Sequence, residues 1–495
     1  MARWRGPVKV FSVVPLPWGR RSGVIAAALA VLAAAVGAWS IPASAAAQRA
    51  GDPYPQVLFD GQNRVNPGER ILSVSNVSRL THSWVHSTGT GETIASPVVA
   101  GGMVFEGVYV CCGENPSWID ALNAATGKVV WQFPTPVAIT AAAAVAQGTV
   151  FVGDYAGTLY ALNEWTGKLK WSGPSPGRQF FDSSNLTTFG SQVYAVTDVP
   201  GLANQAELEV WDMAGCAAAT CTPQWTAPIA GNAQGGAAVT STNIYVAAGN
   251  GQLYAFSRFG CGHQQCSPSW IGQFSSGAGD DPNGSLAVAG NVVYVANGNG
   301  AAVDAFHSSG CGSPTCKPLW AYHAPGINTP AGIAIVGDRL FAAAGPSLDA
   351  FRLSCKIGSV CQPIWRDTGA GGGHILEANG VIYGAGHAIL FADEAANGSR
   401  LWTVRTGGSD TAPTVANGTA YFTVLADDTV LAYHAKAAPS PPPTTRPPTH
   451  SPTSAPGPTL PATGQRTPAL PILVIALLLV VAGVGLTGIG RMRKH

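Results

Sequence analysis

The residues best able to do chemistry in this 495-residue chain are ten cysteines and a scattered polar set. Eight cysteines fall into four close pairs, Cys216/Cys221, Cys261/Cys266, Cys311/Cys316 and Cys355/Cys361. At such spacings thiols serve as disulfides in an oxidising compartment or as metal ligands elsewhere. The other two, Cys111 and Cys112, are adjacent, and an adjacent pair can close only a strained eight-membered ring that stiffens its loop. The polar set is Arg178, Asp182, Gln234, Asp280, Asp281, Asn328, His374 and Asp410. Gathered in one place, these groups could hold a cation or a sugar. Left apart, they are ordinary solvated loop residues. No Cys-x-x-Cys-His haem site, Ser/His/Asp nucleophile motif or Gly-x-Ser-x-Gly elbow accompanies them.

What gathers them is a repeat. A short motif, aliphatic-x-small-bulky, recurs as Ile119–Leu122, Leu159–Leu162, Leu208–Trp211, Leu253–Phe256, Val303–Phe306, Leu348–Phe351, Leu390–Asp393 and Val430–Tyr433. A tryptophan follows seven of these copies, at 131, 171, 225, 270, 320, 365 and 402, and Trp84 precedes the first. The mean spacing, 318 residues over seven intervals or about 45, is that of four-stranded propeller blades. Within a unit such as Thr149–Trp171, β-branched and aromatic runs alternate with glycine-bearing turns and leave no room for a helix. Ala- and Gly-rich segments such as 141–146 suit the crowded innermost strand.

The pattern predicts an all-β, eight-bladed propeller of four-stranded blades over residues 70–435. Seven blades is the alternative if one unit is degenerate. The last motif lacks a following Trp and Trp84 lacks a preceding motif, so the segment around Leu80–Trp84 should supply the outer strand of the last blade and close the ring. The polar set lies on the segments entering the inner strands, and so should surround the mouth of the central channel.

In each cysteine pair the second member stands four residues before a Trp, where the unstapled repeats have Gly127, Gly167 and Gly398. The pairs should therefore be disulfides closing the last hairpin turn of four successive blades. Lying on the outer rims of different blades, they cannot converge on one metal ion.

The runs Ala121-Leu122-Asn123-Ala124-Ala125-Thr126-Gly127-Lys128-Val129-Val130-Trp131 and Tyr160-Ala161-Leu162-Asn163-Glu164-Trp165-Thr166-Gly167-Lys168-Leu169-Lys170-Trp171 resemble the repeat of the pyrroloquinoline-quinone-like propeller superfamily. The resemblance implies the fold more firmly than an activity, since the superfamily holds quinoprotein dehydrogenases and non-enzymatic scaffold propellers alike. Under a dehydrogenase reading it implies pyrroloquinoline quinone (PQQ) and Ca²⁺ as cofactors, with Cys111-Cys112 as the ring such enzymes carry against the quinone. No motif here matches the calcium-ligating Glu/Asn or the catalytic Asp of those enzymes, and no metal site is read from the sequence. Cys111-Cys112 is otherwise a staple of a Gly-rich loop.

Both ends read as addresses. Residues 1–45 have the order of an export signal: five basic residues, the apolar run Gly23–Trp39, and Ala43-Ser44-Ala45 at the exit. A permanent anchor is the other reading of that run, but Pro42 and the small residues suit cleavage. Arg20-Arg21 lacks the context of twin-arginine export. Residues 46–69 form a lead-in to the propeller, and 436–459 a Pro/Ser/Thr-rich stalk in extended geometry. Next come Leu460-Pro461-Ala462-Thr463-Gly464, an apolar run over 469–490 long enough to span a bilayer, and the basic cytoplasmic tail 491–495. In this order they resemble the Leu-Pro-x-Thr-Gly sorting signal of Gram-positive surface proteins. The resemblance implies cleavage by a sortase after Thr463, attachment to peptidoglycan, and only transient use of the membrane helix. A plain membrane-anchored protein is the alternative.

Composition narrows the partners. Twenty-seven Lys+Arg against 26 Asp+Glu leave a net charge of +1, and no basic block offers a nucleic-acid surface. Charged residues total only 11% while hydrophobic ones reach 46%, which argues against a solvated disordered chain. The expectation is a binding or scaffold propeller on the bacterial surface, its ligand unnamed. An extracellular quinoprotein dehydrogenase of alcohols or sugars is the alternative.

Overall fold

Each repeat folds as one antiparallel sheet. In the second, Ala144–Ala146, Thr149–Gly153, Thr158–Asn163 and Leu169–Pro174 pair in sequence order. Phe151, Leu159 and Ala161 are fully buried, as are Val150, Val152 and Leu162, because the sheet packs against a neighbour on both faces. That is why the motif is apolar on both sides instead of alternating with polar residues. Ala144 opens the innermost strand and Ala141, Ala142 and Ala143 lead into it, and all four small side chains are buried.

The computed structural model describes residues 65–436 except 90–91, 93–94, 111–116, 176–178, 180–184, 200–204, 234, 276–284, 298–301, 324–331, 345–346, 356–360, 371–372, 387 and 409–410. Among these residues there are eight such sheets and no α-helix. The blades span 98–135, 144–174, 187–230, 238–273, 285–323, 332–367 and 374–405, and the eighth joins 414–435 to Leu80–Ser87. The eighth blade closes as the sequence implies. Leu80–Ser87 runs antiparallel to Thr429–Ala435, from Leu80↔Ala435 to Ser87↔Thr429, with a bulge between His82 and Trp84. Every motif copy occupies the third strand of its blade, and the Trp that follows it lies in the fourth.

The tryptophans link the blades in a ring. Trp84 donates its Nε1–H to the Ala124 carbonyl of the first blade (3.0 Å), Trp131 to Glu164 (2.9 Å), Trp171 to Met213 (3.2 Å) and Trp402 to Leu80 (3.2 Å). These four indoles bury their apolar bodies at the seams while their polar edges find carbonyls, whereas the buried Trp365 Nε1 has no hydrogen-bond partner. Beneath the rings of Trp84, Trp131, Trp171, Trp225, Trp270 and Trp365 lie Gly127, Gly167, Gly215, Gly260, Gly310 and Gly398 of the following blade. All six have positive φ, and a Cβ on any of them would sit within 3.1 Å of an indole atom. In three stapled blades the glycine under the indole precedes the first cysteine. Counting back from the Trp matches that place to the second cysteine instead, because the staple lengthens the turn.

The segment before the first strand is built in. Asn66 Nδ2 donates to the Val415 carbonyl (2.6 Å), and Asn379 Nδ2 donates to that of Leu72 (2.7 Å). The buried Glu69 carboxylate accepts the amides of Ile71, Leu72 and Gly418 at 2.6, 2.9 and 3.1 Å. Blades seven and eight are thereby tied together by the residues that lead into the closing strand.

Candidate functional site

The second-to-third-strand turns and the blade-to-blade connections share one face of the ring, which follows from four antiparallel strands ordered from inside outward. Backbone bonds brace that face. Glu92 and Tyr109 exchange both bonds (2.6 and 2.7 Å), as do Gln179 and Asp198 (both 2.9 Å). Tyr155 N–H reaches the Ala138 carbonyl (2.8 Å) and Gly249 N–H that of Asn232 (2.8 Å). The connections into the first four blades are thus hydrogen-bonded to the blades they enter.

Of the eight polar candidates, His374 alone lies among the described residues. It opens the innermost strand of the seventh blade, half-buried and opposite Ala385. Gly373 before it has φ of 149°, and a Cβ there would run into the Ala385 carbonyl. The same Gly373 carbonyl accepts Gly332 N–H of the sixth blade (3.1 Å), so His374 is held at a fixed point on the inner wall. Arg178, Asp182, Gln234, Asp280, Asp281, Asn328 and Asp410 lie outside the described residues, as do Cys111 and Cys112 and the segment 460–464. The flanks of the adjacent cysteines are fixed: Tyr109 by Glu92, and Val110 N–H by Ser117 Oγ at 3.1 Å.

The four spaced pairs are disulfides, Cys216–Cys221, Cys261–Cys266, Cys311–Cys316 and Cys355–Cys361, with Cα–Cα distances of 5.5, 5.7, 5.7 and 6.0 Å. Each lies between the third and fourth main strands of its blade. Their placement corrects the sequence expectation in one respect. The pairs do not lie wholly on the outer rim, because Cys221, Cys266, Cys316 and Cys361 are all buried. Cys361 shares an apolar cluster with Trp320 and Tyr322 of the fifth blade and Phe351 of its own, and Cys355 packs against that cluster half-buried. Likewise Cys221 clusters with Trp171, Cys266 with Trp225 and Cys316 with Trp270. The physical reason is that a disulfide-bonded cysteine is a small hydrophobe, so the inner sulfur of each staple fills the seam beside the preceding blade's Trp.

A set of groups that the sequence reading missed also lies at the seams. The second position of the motif holds Asp120, Tyr160, Glu209, Tyr254, Asp304 and Asp349 in six copies, and this side chain faces the preceding blade. Asp120 meets His86 Nε2 of the eighth blade at 3.3 Å and accepts from Trp118 (3.1 Å) and Gln132 (2.7 Å). Ser175, just past the second blade, donates to Glu209 (3.0 Å), and Ser275, just past the fourth, to Asp304 (2.5 Å). Asp349 accepts Tyr322 of the fifth blade (2.7 Å) and a two-pronged bond from Arg366 (2.7 and 2.9 Å). A similar pair, Arg400 with Asp393, reaches Asp367 of the sixth blade at 2.6 Å.

Burial raises the carboxyl of Glu209 to about 7, against weaker opposition from Ser175 and Trp211. Glu377 is lifted to about 7 for the same reason, and Asp393 also to about 7 despite Arg400. Asp304 and Asp154 are raised by burial too. Glu106, fully enclosed at the first–eighth seam, is held well above the carboxylate range by burial and by nearby Asp120, while Thr423 Oγ1 opposes that at 3.3 Å. Glu106, Glu209 and Asp304 bond across to the neighbouring blade or its connection, whereas Asp154 and Glu377 bond within their own blades. Burial favours the protonated form in all of them. Only the small residue beside them, alanine in seven copies and Val210 in the third, was visible as a pattern; the second position of those six copies varies between acids and Tyr.

Among the described residues no three His, Cys, Asp or Glu side chains converge as a metal ion requires, so those residues do not fit the Ca²⁺ of a quinone enzyme.

The propeller geometry finds its match in known proteins. Residues 115–362 match the family profile of the outer membrane protein assembly factor BamB, half of the chain. The chain belongs to the BamB family of PQQ-like propellers. BamB from Moraxella catarrhalis superposes with a TM-score of 0.51 at 14% identity, covering 72% of this chain and 99% of that one. The quinohemoprotein alcohol dehydrogenase of Comamonas testosteroni gives 0.57 at 15%, covering 80% and 82%. A europium-containing methanol dehydrogenase gives 0.56 at 12%, covering 76% and 89%. At these identities the superpositions speak for the fold. No curated protein matches the sequence.

Proposed function

We propose that this BamB-family propeller is an exported binding module held in the cell wall of a Gram-positive bacterium. The observation that carries the binding role is coverage: the superposition spans 99% of a protein named as an assembly factor, so this chain's propeller matches the entire body of such a protein. Disulfides in four blades fit an exported protein. Leu460–Gly464, the apolar run after it and the basic tail support sortase as processing partner and peptidoglycan as the attachment point. The stalk would reach only about 70 Å at ~3.1 Å per residue, keeping the propeller in or near the wall. The ligand would be a surface protein or a small polar molecule such as a sugar, met at the channel mouth.

Fractionating cells that express the chain tests the address. The wild type should be released with the wall, and Thr463→Ala should move it to the membrane fraction. Unchanged wall linkage of Thr463→Ala rejects the sortase assignment. The second reading, a PQQ- and Ca²⁺-dependent dehydrogenase of alcohols or sugars, draws on Cys111-Cys112 and on the quinoprotein fold neighbours. It predicts quinone-dependent turnover, which the first reading excludes.

A further inference from the structure

The disulfide-closed loops reach beyond their own blades. The loop closed by Cys216–Cys221 in the third blade lies beside the outer strand of the second: Ser172 N–H donates to the Ala219 carbonyl (2.9 Å) and Cys221 N–H to that of Ser172 (2.8 Å). One blade on, Thr226 N–H donates to Gln264 (2.8 Å) and Cys266 N–H to Thr226 (2.8 Å). In the next, Ile271 N–H donates to Pro314 (2.8 Å), and Thr315–Cys316 pairs in parallel with Ile271 and Gly272 as a fifth strand of the fourth blade's sheet. The clipped residue is each time the one after the seam Trp, at 172, 226 and 271. An outer strand presents unpaired backbone groups, and these loops satisfy some of them from the neighbouring blade.

We propose that these three disulfides form a redox-sensitive clasp between blades: each holds its loop in the shape that pairs with the preceding blade, so that reduction opens the second–third, third–fourth and fourth–fifth seams at their outer edge. The loop residues between the cysteines, 217–220, 262–265 and 312–315, are exposed, so apart from these backbone bonds to the neighbouring blade it is the disulfide that fixes their conformation. Cys216, Cys261 and Cys311 are exposed while their partners are buried, which offers a dithiol one accessible sulfur in each bridge. In the reaction the dithiol supplies two electrons and two protons. Its thiolate attacks the accessible sulfur, the S–S bond breaks to leave two cysteine thiols, and the reductant closes into its own disulfide. The seam tryptophans and the carboxyl contacts remain, so the ring stays folded.

Amide exchange read by mass spectrometry on the full-length chain in detergent, oxidised and then treated with a small dithiol, tests this. Reduction should speed exchange at Ser172, Thr226 and Ile271 by about tenfold or more, the signature of local opening, and leave Gln132 and Thr403, the equivalent residues of blades without a neighbouring staple, unchanged. The double variant Cys216→Ser, Cys221→Ser should reproduce the loss at Ser172 alone. Unaltered protection at all three residues on reduction, or equal loss in every blade, overturns the proposal. So does a double variant that deprotects Thr226 and Ile271 along with Ser172.

Discussion

Trp131 donates its Nε1–H to the Glu164 carbonyl at 2.9 Å while its ring lies over Gly167, three residues further along the same turn of the next blade. A side chain at 167 would meet both a positive φ of 65° and the ring, with a Cβ 2.6 Å from the indole. Gly290, with φ of 57° and nothing within 4 Å, carries the first burden without the second. Gly290→Ala should therefore lose about 1–2 kcal/mol from the left-handed backbone. Gly167→Ala should lose about 1–3 kcal/mol more from overpacking against Trp131. Thermal or denaturant unfolding of the two variants gives the comparison, and equal losses would remove the indole from the account.

Acid should stabilise this fold. Glu209, Glu377 and Asp393 are raised from ordinary carboxylate values to about 7 chiefly by burial. The folded state therefore holds protons that the unfolded chain has released. Their contribution is complete below the unfolded pKa and fades as pH rises through about 7, so stability should fall by a few kcal/mol in total between pH 5 and pH 8. Glu209→Gln keeps the shape and removes one titration, and should flatten the Tm-versus-pH curve. A Tm that rises from pH 5 to pH 8 contradicts this reading.

Arg366 is the partner that lets Asp349 remain enclosed between the fifth and sixth blades. Arg366→Ala leaves the carboxylate with Tyr322 alone and should cost about 3–5 kcal/mol. Arg366→Lys should recover only part of that, since one ammonium cannot reproduce the two-pronged bond. Equilibrium unfolding of the two variants decides it, and a full rescue by Lys would reduce the site to simple charge pairing.

How far the sequence disclosed this depends on which groups repeat. Trp84 and the eight motif copies recur at a fixed place in the sheet, so blade number, ring closure and the turn that each staple closes were legible. That Cys361 and its three counterparts turn inward was not, because the Trp each one packs with belongs to the preceding blade. The glycine under each indole was partly hidden, because the cysteine insertions lengthen the turn. Gly215 stands ten residues before Trp225, whereas Gly127 stands four before Trp131. Asp120 and Asp349 escaped notice because their partners, His86 and Tyr322, belong to another repeat and change type at every seam. Of the polar set expected around the channel mouth, His374 is the one among the described residues, at the start of an innermost strand and fixed by Gly373 and its bond to Gly332.

The most direct test of a binding propeller against a quinone enzyme is a titration of the full-length protein with PQQ and Ca²⁺. Quinone absorbance is read on the protein after removal of free cofactor, and dye-linked oxidation of alcohols and sugars is assayed on the same sample. The account predicts no stoichiometric retention and no turnover. One tightly held quinone per chain with substrate-dependent dye reduction would contradict it.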